Sequence, residues 1–369
     1  MKYARMTIEK ESPEEYGYDR IRHNLSESSI ADQTLAEIGV RIPDDVKLLY
    51  GEHRGDPVLR ALVAAQDPGL SADHVLMTAG AAGALFLIST TLLTAQDHLV
   101  VVRPNYATNI ETPRAIGCAI TFIDLKFEKD FAIDLEEVAA ALRPETRIIS
   151  VTCPHNPTGT VMQRADLDRL IALAERHGCY LLVDETYRDL SYGTKLPSAA
   201  SLSRSAISVA SLSKAYGIPG IRVGWLVAQD AALYERFLAA KEQIAICGSV
   251  LDELVALQML QSRDAFLARV LPEMRARLDI VQQWIGSEPL VDWVRPSGGV
   301  VGFPRLNVPA SFDAAAFYKT LLDDYGTYVG PGHWFEMPRT FFRIGFGWPT
   351  VAELQGGLAS ISSALKPYR

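Results

Sequence analysis

The chain has 369 residues, of which 48% are hydrophobic and 22% are charged, and its formal net charge is −8. This composition is typical of a globular enzyme with an ample core. The basic residues are not clustered, which argues against a nucleic-acid partner or an anionic membrane surface. The sequence contains no signal-peptide pattern and no run of about 18 apolar residues, so we expect a cytoplasmic protein that binds small molecules.

The N-terminal quarter of the chain predicts an irregular arm followed by the first strand and helices. Residues 1–44 are polar and rich in turns, and residues 50–56 form a glycine-containing turn before a helix that begins at Pro57, a favourable first-turn residue. Residues 74–78 predict a strand, and the small residues 79–84 open a long helix. Small side chains at such a junction let a phosphate approach the free amides of the first helical turn.

Apolar strands then alternate with helical patterns up to residue 228. This alternation predicts an α/β fold with a mostly parallel sheet that is covered by helices on both faces. Sites in such sheets gather at the carboxyl ends of the strands. Four polar or aromatic residues follow the ends of predicted strands and are expected to lie close together: Tyr106, Asn156, Asp184 and Lys214.

The pattern of predicted secondary structure changes near residue 286. Two long helical stretches, about 230–261 and 264–285, precede this point. Short strands and two helices follow it, one of them predicted over 312–325, and this pattern predicts a smaller α+β domain. We predict a large domain over residues 45–285 and a small C-terminal domain over residues 286–369. The N-terminal arm, residues 1–44, is predicted to be part of the small domain.

The stretch from Ser211 to Trp225 concentrates reactive groups at the end of an apolar strand. Ser211, Ser213 and Arg222 bracket Lys214, and three glycines lie among them. A lysine in this position can form a Schiff base while its hydroxyl and guanidinium neighbours bind an anion. Considered alone, Lys214 is more often an exposed loop lysine, because most lysines lie on surfaces.

Two charged residues lie in or directly after apolar strands. Burial of the Asp184 carboxylate requires a cationic partner, and the alternatives are a helix cap or a metal ligand. No histidine or carboxylate cluster nearby supports a metal, so none is predicted. The planar guanidinium of Arg343 suits a carboxylate, the alternative being an edge-strand arginine that reaches solvent.

The order of these motifs resembles that of a known family. Ser-x-Ser-Lys followed by Gly-x-Arg-x-Gly resembles the pyridoxal-phosphate site of the class I/II aminotransferases of fold type I, which are similar to aspartate aminotransferase. Further stretches match in the same order, the last of them more weakly: Tyr50–Arg60, Thr78–Leu85, His155–Gly159, Asp184–Tyr187 and Phe342–Phe346. The resemblance therefore covers nearly the whole chain.

This resemblance implies the cofactor pyridoxal 5'-phosphate and a role for each matching residue. Lys214 would hold the cofactor as a Schiff base, Asp184 would keep its pyridine nitrogen protonated, and Tyr106 would stack on its ring. Asn156 and Tyr187 would hydrogen-bond to its phenolic oxygen.

The resemblance also implies how the phosphate and the substrate are bound. Arg343, together with Asn156, would bind the substrate. Tyr50 would reach the phosphate of a partner subunit, which implies a homodimer with shared active sites. Because Ala82 replaces a hydroxyl that the family often has, the phosphate would depend mainly on Ser211, Ser213 and Arg222, with main-chain donors at the helix start: Gly80, Ala81 and Ala82.

The function implied is an aminotransferase that moves the amino group of an L-α-amino acid to a 2-oxo acid. Other pyridoxal-phosphate enzymes of the same fold are an alternative, including a β-elimination C–S lyase, a racemase or a specialised amino-acid-modifying enzyme, because the cofactor residues are the same. A non-enzymatic cofactor-binding regulator is a remote alternative.

Substrate specificity is less constrained by the motifs. By the resemblance, residues 24–29 fall where a substrate-facing loop would lie, a surface loop being the alternative. The family's loop is usually small and contains glycine, whereas these residues add acid and hydroxyl groups, which favour a basic or polar amino donor. Glutamates that could favour a basic side chain, and basic residues that could bind a second carboxylate, are Glu27, Glu52, Glu336, Arg20, Arg22, Arg54 and Arg188.

Overall fold

A computed structural model describes all residues, 1–369, and contains fourteen strands. The central strands are short apolar runs of the kind predicted from the sequence. Their bounds are β1 His23–Asn24, β2 Val75–Ala79, β3 His98–Arg103, β4 Ala119–Asp124, β5 Thr146–Thr152, β6 Tyr180–Asp184, β7 Ala206–Ser211, β8 Val223–Ala228, β9 Val291–Asp292, β10 Val301–Gly302, β11 Arg305–Leu306, β12 Thr327–Tyr328, β13 Gly330–Pro331 and β14 Phe342–Gly345.

Seven of these strands form one sheet in the order β2-β8-β7-β6-β5-β3-β4. Neighbouring strands are parallel except for β8, which pairs antiparallel with both β2 and β7. The predicted mostly parallel sheet is therefore confirmed. The carboxyl ends of β3, β5, β6 and β7 meet at one edge, and the residues that follow these ends are brought together there.

Thirteen α-helices accompany the strands. Several begin at a carboxylate or hydroxyl that caps the free amides of the first turn, as Asp56 does for α3 and Asp313 does for α12. Their bounds are α1 Thr7–Lys10, α2 Pro13–Tyr16, α3 Pro57–Ala64, α4 Gly80–Leu92, α5 Thr108–Ile116, α6 Leu135–Ala141, α7 Arg164–His177, α8 Ala199–Leu202, α9 Ala231–Ala245, α10 Val250–Gln261, α11 Arg263–Ser287, α12 Ala314–Asp323 and α13 Val351–Leu365.

Alternation along the central strands separates two hydrophobic cores. Leu99 and Val101 pack with α4 and α9 on one face of the sheet, whereas Val100 and Val102 pack with α6 and α7 on the other. Because both sets are buried, β3 is apolar on both faces, as a strand covered by helices on both sides must be.

The predicted helix over 230–261 is wrong in one respect. The chain breaks between α9 and α10, where Ile246 has a left-handed φ of 55° and ends the first helix. The Ser249 hydroxyl then caps α10 by accepting a hydrogen bond from the Asp252 amide at 3.3 Å. The serine provides a new helix start that the apolar periodicity did not show.

The C-terminal strands form small sheets beside the large one. β14 lies between β10 and β13, and β1 of the N-terminal arm pairs with β12. The arm continues along β14, where the Gly345 amide donates to the Leu25 carbonyl at 2.7 Å. The division into domains at residues 44 and 285 stays a prediction. None of the helices has the length and apolarity that crossing a membrane requires.

Candidate active site

An open cleft lies at the carboxyl edge of the sheet, between the strand ends and the N-terminal arm. The structure brings all but two of the predicted site residues to its walls, Gly80 and Tyr50 being the exceptions. The residues on the walls are Ala81, Ala82, Tyr106, Asn156, Asp184, Tyr187, Ser211, Ser213, Lys214, Arg222 and Arg343.

Lys214 lies in the turn after β7, and its amine faces the arm. Its Nζ donates a hydrogen bond to the Ser28 Oγ at 3.0 Å. Burial lowers the pKa of Lys214, and the nearby Glu27 carboxylate opposes this shift. A lowered pKa increases the fraction of neutral amine, which is the nucleophilic form. The sequence did not indicate that Lys214 contacts Ser28, although residues 24–29 were expected to lie near the substrate.

Asp184 is the last residue of β6 and is only 4% exposed. Its Oδ1 accepts hydrogen bonds from the Thr186 amide at 3.1 Å and the Thr186 hydroxyl at 2.6 Å. Its Oδ2 lies 3.5 Å from the Asn109 amide nitrogen. No lysine or arginine forms an ion pair with it, and burial raises its pKa. A cation in the cleft would therefore find an oriented and uncompensated carboxylate.

The start of α4 and Arg222 form an anion-binding corner. Gly80 has a φ of 71°, and a Cβ at this position would lie 2.7 Å from Arg222 Nη2, so glycine lets the guanidinium approach the helix start. Arg222 itself has a left-handed φ of 50° and donates to the Pro219 carbonyl at 2.9 Å. Together with the hydroxyls of Ser211 and Ser213, these donors suit a phosphate.

Arg343 on β14 reaches the cleft from the C-terminal part and is 4% exposed. Its Nη2 donates to the Ser26 carbonyl at 2.6 Å and its Nη1 to Asn156 Oδ1 at 3.2 Å. Its Nε is buried and has no hydrogen-bond partner. Since the Asn156 oxygen is engaged by Arg343, the amino group of that amide is its remaining donor. The solvent-reaching alternative for Arg343 is wrong.

Two aromatic residues complete the wall near Asp184. The Tyr187 hydroxyl donates to the Ser28 carbonyl at 2.7 Å, and burial raises its pKa to about 12. Tyr106 follows β3, and its amide donates to Asn105 Oδ1 at 2.7 Å. Both phenols remain protonated near neutral pH, and their hydrogen bonds to a cofactor or substrate stay predictions.

The N-terminal arm contributes more of the cleft than the sequence indicated. Glu9 and Glu14, on the short helices α1 and α2, line it together with Glu27. These helices are one turn each, so they have no periodicity that a sequence could show. Trp334 also lines the cleft and was not predicted.

The other charged candidates for substrate specificity lie outside the cleft. Glu52 pairs with Arg60 at 3.4 Å, and Glu336 pairs with Arg114 at 2.6 Å. Arg188 pairs with Asp67 in the interior. The other three candidate arginines also lie away from the cleft walls: Arg20, Arg22 and Arg54.

A comparison with known families identifies the chain. The family model described as "Aminotransferase class I and II" matches residues 44–361. The chain belongs to this aminotransferase family. Its fold is the fold type I architecture of that family, its cofactor is pyridoxal 5'-phosphate, and it is an enzyme of the pyridoxal-phosphate-dependent aminotransferase group.

Proteins named for different activities are similar to the chain. Capreomycidine synthase of Streptomyces vinaceus is 34% identical over 363 residues, which cover 94% of this chain and 91% of the relative. Arginine–pyruvate transaminase AruH of Pseudomonas aeruginosa is 31% identical over 78% of this chain and 74% of the relative. The solved structure of the pyridoxal-phosphate-dependent cyclase OrfR has a TM-score of 0.89 and 28% identity, covering 100% of this chain and 98% of that one.

The residues of the cleft fit pyridoxal phosphate. The uncompensated Asp184 carboxylate suits a protonated pyridine nitrogen, and the corner at Arg222 suits a phosphate. Lys214 has the amine that would hold the cofactor covalently. When bound, the group supplies an electron sink for bonds broken at the substrate α-carbon.

Proposed function

We propose that the chain is an aminotransferase that moves the amino group of an L-α-amino acid to a 2-oxo acid. The observation that carries this proposal is the position of the Lys214 amine in one cleft with Asp184 and Arg343. In this proposal Arg343 binds the substrate α-carboxylate, with Asn156 beside it. Once its amine is free, Lys214 removes the proton from the substrate α-carbon and returns it during transfer.

The experiment is an absorption spectrum of the purified protein with pyridoxal phosphate, followed by addition of single amino acids. We expect a band from the lysine-bound cofactor in the wild type and in Lys126→Ala, since Lys126 is exposed and does not line the cleft. Lys214→Ala should lack this band. An amino donor should bleach it, and a 2-oxo acid should restore it; a band that survives Lys214→Ala would refute the assignment.

A second candidate is a specialised amino-acid-modifying reaction such as ring formation. Its support is the similarity to capreomycidine synthase over most of both chains and to the cyclase OrfR. The same residues would bind the cofactor in either reaction. Mass spectrometry separates the two, because transamination requires a 2-oxo acid and forms a new one. A product formed without any 2-oxo acid would favour the second candidate.

We also propose that the active form is a homodimer. Tyr50 is 80% exposed and follows two other exposed apolar residues, Leu48 and Leu49. Such a cluster is unfavourable in water, and a second copy would cover it. Tyr50→Phe should then weaken cofactor retention while the protein stays dimeric in sedimentation analysis. An unchanged retention would contradict the shared site. A cytoplasmic location likewise stays a proposal.

A further inference from the structure

We infer that the cleft accepts an amino acid whose side chain ends in a cation, an ammonium or guanidinium group, and that Glu9, Glu14 and Glu27 bind it. This inference rests on the proposed function, because it assigns the other charged groups of the cleft to the cofactor and the α-carboxylate. It names the substrate class for the same site.

The cleft walls carry more carboxylates than the cofactor and the α-carboxylate of the substrate require. Three cationic residues line it, and the proposed function gives each of them a role, namely Lys214, Arg222 and Arg343. Asp184 is the carboxylate suited to the pyridine nitrogen. The three remaining carboxylates have no role toward the cofactor or the α-carboxylate, and they belong to Glu9, Glu14 and Glu27.

Two neighbouring glutamates of the arm are paired, unlike the three that line the cleft. Glu11 Oε2 lies 2.8 Å from His333 Nε2, and Glu15 lies 2.6 Å from Arg5 Nη2. The glutamates that face the cleft form no ion pair with any lysine, arginine or histidine. Glu27 is partly buried, and burial raises its pKa, although Lys214 partly offsets this shift. A cation beside Glu27 would relieve this unfavourable burial.

A separate observation points to the ligand's other end. Arg343 lines the same cleft, is only 4% exposed, and has an Nε without a partner. An anionic group there and a cationic group at the glutamates define a ligand that is charged at both ends. An amino acid with a basic side chain has this pattern, whereas a neutral or acidic side chain leaves the partly buried Glu27 carboxylate without a cation; Glu9 and Glu14 are exposed and add negative charge at the mouth of the cleft.

The arm that carries the glutamates is held close to Arg343. Glu11 Oε2 accepts a hydrogen bond from Trp334 Nε1 at 2.7 Å, and Glu11 lies between Glu9 and Glu14 in the chain. The Trp334 ring lies 5.9 Å from the Arg343 guanidinium carbon. The Tyr18 hydroxyl donates to Glu27 at 3.2 Å and orients that carboxylate. The glutamates are therefore positioned by the same elements that surround Arg343.

The test compares arginine with citrulline, a neutral analogue of nearly the same shape, in the protein loaded with pyridoxal phosphate. Calorimetry measures the dissociation constant of each, and product analysis measures the reaction. The wild type should bind arginine at least about tenfold more tightly than citrulline, the effect of one charge-assisted hydrogen bond. Glu27→Gln, and the double variant Glu9→Gln/Glu14→Gln, should each reduce this ratio while the citrulline constant changes little.

Glu15→Gln is the matched control, because Glu15 lies on the same arm but pairs with Arg5 outside the cleft. It should keep the wild-type ratio. The comparison is repeated with lysine and its neutral analogue norleucine. If the wild type binds the basic and the neutral member of each pair equally, the inference is overturned, even if neutral donors are transaminated. Selective arginine binding without transamination would instead uphold the inference and refute the proposed function. A ratio unchanged in all glutamate variants would also overturn it.

Discussion

Replacement of Arg343 by lysine tests how the substrate carboxylate is recognised. Arg343 already uses Nη1 and Nη2 for Asn156 and Ser26, at 3.2 and 2.6 Å, and keeps its Nε free. A lysine keeps the positive charge but has one point of contact instead of a planar fork. It cannot hold both protein oxygens and also bind a carboxylate with the same geometry. At least one charged hydrogen bond should be lost, worth about 1.5–3 kcal/mol.

That loss corresponds to a dissociation constant about 10- to 150-fold higher for an α-amino acid that binds the wild type. The assay is calorimetric binding of this amino acid and of the amine that lacks its carboxylate, in the cofactor-loaded protein. Binding of the amine should change less than threefold, because it has no carboxylate to lose. Arg295→Lys is the control, since Arg295 pairs with Asp279 on the surface and should show wild-type binding. Equal losses for the amino acid and the amine would refute the carboxylate role.

Two further predictions concern stability and pH. Asp67→Ala should lower the free energy of unfolding by about 1.5–3 kcal/mol, because the buried Arg188 guanidinium loses its charged hydrogen bond to Asp67 at 2.6 Å and keeps as an ion-pair partner only the Glu185 carboxylate at 3.8 Å. Urea denaturation measures this loss. The control is Asp168→Ala, which removes an exposed ion pair with Arg164 and should change the free energy of unfolding by about 0.5 kcal/mol or less. An equally small change for Asp67→Ala would contradict the argument. The arginine preference should increase as pH rises through the raised pKa of Glu27, since the carboxylate form binds the cation. Lys214, Arg343 and Tyr18 also face Glu27, but they act on citrulline binding as well and largely cancel in the ratio of the two constants. Glu14 faces Glu27 too and acts on the ratio, so Glu27→Gln, which keeps Glu14, isolates the contribution of Glu27. A ratio independent of pH, or the same pH dependence in Glu27→Gln, would contradict this role.

The central sheet could be predicted because its strands are continuous apolar runs. Residues 98–103 alternate between two buried faces, and this requirement is visible in the amino-acid types alone. The edge at which Asn156, Asp184 and Lys214 meet then follows from the parallel direction of the strands. The break between α9 and α10 does not show in the apolar periodicity, which continues through the left-handed Ile246; its local signal is the pair Gly248–Ser249, a glycine followed by a helix-capping hydroxyl.

The arm's share of the site was less predictable, for a different physical reason. Residues 24–29 were expected near the substrate, but α1 and α2 are single helical turns whose position depends on long-range contacts. The Glu11 carboxylate that holds them accepts from Trp334, 323 residues further along the chain. No local pattern contains such a contact, so Glu9 and Glu14 could not be assigned to the cleft from sequence alone.

The cleft glutamates and the residues suited to the cofactor lie on different elements, which has a consequence for specificity. The residues suited to the cofactor lie at strand ends and at the start of α4, whereas the unpaired glutamates lie on the arm or the loop after β1. The arm passes so close to β14 that a Cβ at Gly345 would overlap the Glu27 carbonyl, so glycine is needed there. Substitutions of these glutamates should therefore change the charge of the wall that is proposed to face the substrate without removing a contact of Lys214, Tyr187 or Arg343, which bind the arm at Ser26 and Ser28. The residues suited to the cofactor therefore do not by themselves determine the substrate or the reaction.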